Sequence, residues 1–173
     1  NEASTQITTE TSKKFKLKNS KNKAVKANIK LVKKSNLGLG ADNKKRFDIE
    51  ITPEHSPVKK ITLQAVDLTK EVKLGLEELP KTFPSPLGRW AQVYAIDPTN
   101  LNFTQGVVTV EAKGANLYKC KDYNFTTQNC FGKWIKFKTN LTPGQEYTFI
   151  FINFLFFSTF ITSHNNHLIT YGL

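Results

Sequence analysis

A chain of 173 residues, 39% hydrophobic and 12% aromatic, is long enough to bury a core and suits one domain, or one domain with an arm. Its formal net charge is +11, yet residues 1–46 hold 13 of the 25 Lys+Arg and 3 of the 14 acids, so a basic third precedes a nearly neutral body. No repeat of 20–50 residues recurs, which argues against a solenoid, and the RRM, helix-turn-helix and zinc-finger signatures are absent, so no nucleic-acid partner is expected.

The first residues, "NEASTQITTETS", are polar and lack apolar periodicity, which reads as a tail or as an arm that orders on a partner. In "KKFKLK", Phe15 and Leu17 alternate with Lys14, Lys16 and Lys18, and in "KAVKANIKLV", Val25, Ala27, Ile29 and Leu31 alternate with Lys26 and Lys30. Period 2 predicts two half-buried strands with "SKN" as the turn between them. Residues 1–20 are thus expected to form an extended basic arm ahead of a domain over 21–173. The lysines read either as a surface for polyanions or as solvated strand faces, and their alternation favours the second.

"RFDIEI" and "KKITLQAV" continue the alternation through Phe47, Ile49, Ile51, Ile61, Leu63 and Ala65. "DLTKEVKLGLEELP" is ambiguous: Val72, Leu74 and Leu76 fit a strand, while Leu68, Val72 and Leu79 fit a short helix. The Pro-rich "KTFPSPLG" marks an internal boundary near 80–88. Beyond it come "RWAQVYAI", stopped by a "DPTN" turn, then "GVVTVEAKG", "ANLYKC", "CFGKWIKFKT" and "EYTFIFI". Eight to ten short strands at close spacing predict an all-β, immunoglobulin-like antiparallel β-sandwich.

Cys120 and Cys130 flank the short polar loop "KDYNFTTQN". There is no methionine and residue 1 is Asn, so the expectation is a mature exported chain with its leader removed, located outside the cell or at its surface. In that setting an even cysteine count reads as one disulfide, with two free thiols as the alternative. Three sequons, at Asn102, Asn124 and Asn140, fall at strand edges or turns and make these residues candidate acceptors of N-linked glycans. No other cofactor is expected.

The sequence offers little for catalysis. His164 and His167 form an i, i+3 pair with no carboxylate close in sequence, no Ser has a nucleophile motif, and neither cysteine has the extra ligands a metal needs. No catalytic residue and no metal site is assigned, and a non-enzymatic role is expected.

Between about Glu71 and Phe149 the chain carries "AIDP" at Ala95–Pro98, "LNFT" at Leu101–Thr104, "LYKC" at Leu117–Cys120, a C-x-G-x-W at Cys130–Trp134 and "PGQEYTF" at Pro143–Phe149. In these it resembles β-sandwich modules of large secreted surface proteins of small-genome, DPANN-type archaea. The resemblance covers under half of the chain and implies a cell-surface β domain with a disulfide-tied loop. It brings no catalytic residues. Where similar sequences turn polar after "PGQEYTF", this one stays apolar from Ile150 on.

The apolar run "YTFIFINFLFFSTFI" counts 15 residues with Asn153, Ser158 and Thr159 inside it, short of the roughly 20 a membrane helix needs, so no membrane span is expected. It reads as two strands with a bend near Asn153 and more apolar surface than one fold needs. The expected function is therefore a structural subunit of an extracellular assembly, a pilus-like filament or surface layer, in which identical subunits complement one another with β-strands. Phe15 and Leu17 are the expected donor, and Phe151, Phe154, Phe156 and Phe157 the expected groove lining. Equally, residues 13–32 could form the first hairpin of the same sandwich. The alternative function is a surface adhesin or glycan-binding module that stacks sugars on Trp90, Trp134, Tyr118 and Tyr123.

Overall fold

The computed structural model describes residues 13–34, 46–84, 90–152 and 160–164. The strands among them are β1 (Phe15–Lys18), β2 (Ala27–Lys34), β3 (Arg46–Pro53), β4 (Val58–Asp67), β5 (Val72–Leu79), β6 (Gln92–Asn100), β7 (Gln105–Glu111), β8 (Leu117–Cys120), β9 (Tyr123–Asn124), β10 (Asn129–Cys130), β11 (Trp134–Lys138), β12 (Glu146–Ile152) and β13 (Phe160–His164). They build one sheet in the order β1-β5-β6-β13-β8-β11, a second in the order β12-β7-β4-β3-β2, and a small β9–β10 hairpin. Every pairing is antiparallel except that of β1 with β5. The chain is an all-β antiparallel β-sandwich, as its alternation predicts.

Alternate side chains of both sheets meet in one core. Leu17, Val72, Leu74, Leu76, Tyr94 and Ile96 enter it from the first sheet, and Ile49, Ile61, Leu63, Val108, Val110 and Phe149 from the second. A polar tie crosses this core: the hydroxyls of Tyr94 on β6 and Tyr147 on β12 lie 3.0 Å apart. Burial raises the Tyr147 phenol far above its ordinary value, with Tyr94 adding to the shift.

The first sheet is covered on its other face too. Leu79, Phe83, Trp90, Val93, Ala95, Cys120 and Tyr123 form a second cluster there, with Phe125, Cys130 and Trp134 packed on it. This is why β6 is buried from Gln92 to Ile96 without alternation.

One reading left open in the sequence is decided by the structure, and two expectations differ from it. The segment 72–79 is a strand, because its neighbours β1 and β6 supply long-range partners that a short helix would forgo. β1 and β2 do not form a hairpin. They share one bridge, Lys18–Ala24, and then diverge into opposite sheets, where each hides its apolar face. Finally, "DPTN" does not stop β6, which runs to Asn100 across a register shift opposite Lys73–Gly75. Such an irregularity is where a strand tolerates proline. The strands on either side of the expected 80–88 boundary, β5 and β6, are neighbours in one sheet, and residues 85–88 of that boundary lie outside the described residues.

Candidate assembly interface

The cysteines are joined. Cys120, buried at the end of β8, and Cys130, in β10, form a disulfide across a separation of 10 residues with Cα atoms 6.0 Å apart. The loop between them is more structured than its polarity suggests. Tyr123 is buried beneath it, and Phe125 lies against Gly75 of β5, where an added Cβ would come within 2.8 Å of the ring. Burial, with the charge of Glu77, raises the Tyr123 phenol. One rim of the second cluster is thus a stapled aromatic lid over the first sheet.

The expected assembly residues separate. Phe15 and Leu17 are 2% and 4% exposed and pack inside the sandwich of their own chain, and Phe151 is buried in the same core. Phe154, Phe156 and Phe157 lie outside the described residues, so no groove lined by these aromatics is described. Asn102, Asn124 and Asn140 are all exposed. The Asn124 side-chain carbonyl accepts a hydrogen bond from the Thr127 N–H, and Asn140 holds a φ of 57°. Of the aromatics considered for sugar stacking, Trp90 and Tyr123 are buried, whereas Tyr118 and Trp134 are half-buried around Trp90.

The four sheet edges are guarded unequally. An edge strand offers unpaired main-chain groups to other chains, and lysines, bulges and short length are the usual protection. β1 is four residues long and carries Lys16 and Lys18. β2 carries Lys30, Lys33 and Lys34 and a register shift between Leu31 and Lys33. β11 carries Lys136 and Lys138 and a register shift between them. β12 has none of these: its seven residues pair with β7 in unbroken register, and it holds no Lys, Arg or Pro. Its outer face presents Glu146 at one end and then Thr148, Ile150 and Ile152, the two isoleucines 57% and 62% exposed. Among the described residues β12 has a strand neighbour on one side alone.

The outward face of this strand is legible in the sequence, whereas its place at the edge comes from the sheet order. Tyr147, Phe149 and Phe151 alternate inward, so Ile150 and Ile152 must face out. A second feature was not visible locally: β13 does not extend β12 but sits inside the opposite sheet, paired with β6 and β8.

Elsewhere, among the described residues, three buried side-chain polar atoms lack a hydrogen-bond partner: Arg46 Nε, Gln92 Oε1 and the Tyr123 hydroxyl. A cleft of about 450 Å³ lies beside His55, Glu78, Gln92 and Glu111. Lys59 Nζ lies 3.3 Å from one Glu111 oxygen and Lys113 pairs with the other, which holds that carboxyl below its ordinary value. Among the described residues no group of three or more His, Cys, Asp or Glu is placed to hold a metal ion. Lys119 on β8 has its pKa lowered to about 8, chiefly by burial and further by the charge of Lys121. No protein-family model, no curated protein and no solved structure matches the chain.

Proposed function

We propose that the chain is a structural subunit of an extracellular, cell-surface assembly, a pilus-like filament or surface layer, carrying N-linked glycans, whose identical copies join by β-strand complementation. The observation that carries this reading is the β12 edge. Among the described residues the sandwich guards three edges with lysines and leaves the fourth in unbroken register, with exposed isoleucines on its outer face. Other features support the setting. A Cys120–Cys130 disulfide suits an oxidising compartment. The three sequon asparagines stand on the surface, where an oligosaccharide has room. No helix among the described residues is long and apolar enough to cross a membrane.

The test is light scattering coupled to size exclusion over a concentration series. The native chain should form species larger than one subunit, and the pair Ile150→Lys/Ile152→Lys should yield folded monomers. Both changes lie on the outer face of β12, so the core and the far-UV spectrum should be unaffected. Equal assembly by the native chain and the double variant would remove the β12 edge from the account.

A further inference from the structure

A buried polar atom without a hydrogen-bond partner is uncommon in a folded chain, and its burial works against folding. Gln92, at the start of β6, is 7% exposed, and its side-chain oxygen Oε1 has no partner. Of the three such atoms among the described residues, this one alone belongs to a residue that lines the cleft of about 450 Å³. Small-molecule sites span roughly 300–1,000 Å³, so the cleft is large enough to hold a ligand.

The other lining groups define what fits. Both sheets contribute: Glu78 comes from β5 and Gln92 from β6, while Lys59 comes from β4, Glu111 ends β7 and Lys113 follows it. Lys59 and Lys113 both pair with the Glu111 carboxylate. Two ammonium groups and two carboxylates therefore line one space, and their charges balance. A cationic ligand would face both lysines, and an anionic one both glutamates. The carboxylates and Gln92 Oε1 accept hydrogen bonds, whereas the ammonium groups donate them. A hydroxyl does both, so an uncharged ligand with several hydroxyls serves the two sets together. Pro53 and Pro57 add buried apolar wall, which suits the C–H face of a sugar ring.

We propose that this cleft is a binding site for an uncharged carbohydrate, a short stretch of an oligosaccharide, with Gln92 at its floor accepting a hydrogen bond from a ligand hydroxyl. The site is separate from the β12 edge and does not depend on the assembly reading. The sugar can belong to a foreign surface or to another copy of the chain.

Saturation-transfer NMR tests it, because the signal is read on the ligand whether or not the chain is assembled. The full-length chain with its disulfide intact is titrated with maltose, lactose and chitobiose, and separately with inorganic phosphate and spermidine. At least one disaccharide should bind saturably in the millimolar range, and neither charged probe should compete with it. Gln92→Leu should weaken that binding by about tenfold, the worth of one hydrogen bond. The same variant removes an unpartnered buried oxygen, so its urea midpoint should be no lower than that of the native chain. Glu78→Ala, at an exposed position, should weaken binding with the fold untouched. Absence of binding by all three disaccharides, equal binding by both variants, or binding of a charged probe alone would overturn the proposal. Adding the bound disaccharide to glycosylated chain separates the two sources. Dispersal of assemblies assigns the cleft to glycans of neighbouring copies; assemblies or monomers left as they were assign it to a foreign glycan.

Discussion

Gly106 offers the sharpest probe of how β12 is held. It lies opposite Phe151 in the β7–β12 register, and the ring folds over it. An added Cβ would lie 2.3, 2.4 and 2.8 Å from Phe151 Cζ, Cε1 and Cε2. Carbon atoms pack at about 3.5–4.0 Å, so Gly106→Ala requires the ring to retreat by more than an ångström. Phe151 has little room to do so: it is buried, and Phe103 packs edge-on with centroids 5.3 Å apart. Overpacking of this kind costs about 1–3 kcal/mol, and swinging the ring into water instead costs about 1.5–3 kcal/mol. Either route predicts a loss of about 1–3 kcal/mol, read by urea unfolding with the disulfide intact. Thermally this is a drop of roughly 2–4 °C per kcal/mol for a chain of this length. The background variant Phe151→Ala should cost about 3–5 kcal/mol by itself. In that background Gly106→Ala should become neutral or stabilising, because the clash has gone and alanine reduces the freedom of the unfolded chain. The cycle therefore predicts a change of sign. An equal effect of Gly106→Ala in both backgrounds would refute the contact and the β12 register drawn from it.

Three further outcomes follow from the same structure. Replacing Cys120 and Cys130 by Ala should cost about 2.8 kcal/mol from loop closure alone for a separation of 10 residues, measured by urea unfolding; no loss on replacement would mean that the loop is held without its staple. Lys119, ordinarily 10.5 and lowered to about 8, binds fewer protons folded than unfolded across that window, so its contribution to stability rises with pH between about 8 and 10.5. Lys119→Met should therefore stabilise the chain more at pH 6 than at pH 10.5, and a gain independent of pH would contradict the burial of the ammonium. Tyr123 and Tyr147 have raised pKa values, so the stability they support is present below the ordinary tyrosine value near 10 and is lost as pH climbs beyond it. Spectrophotometric titration should show their phenolates appearing only with unfolding, whereas reversible ionisation of both in the folded chain near pH 10 would exclude their burial.

Period-2 alternation carried most of the architecture because strand faces are set residue by residue. Phe47, Ile49, Ile51, Leu63, Phe149 and Phe151 all point where alternation sends them. The disulfide was legible for a similar reason, since two cysteines flanking a short loop are close along the chain. Pairing between distant segments was not legible. Nothing near 72–79 tells that β1 lies parallel on one side and β6 antiparallel on the other, and those partners make the segment a strand. The second cluster was hidden too, because Phe83, Trp90 and Tyr123 come from connections rather than from patterned strands. At the candidate interface the expected residues Phe15, Leu17 and Phe151 were apolar and alternating, which marks a core as readily as a contact. What distinguishes the β12 edge is the absence of lysine and bulge on one strand relative to three others, a comparison that requires knowing which strands are edges.

The central claim is that identical copies assemble through this sandwich. Negative-stain electron microscopy of the purified full-length chain, with its disulfide intact and over a concentration series, tests it most directly. The account predicts regular multi-subunit particles, threads or sheets, which disappear in the Ile150→Lys/Ile152→Lys variant. A field of single, folded subunits at the highest concentration would contradict it.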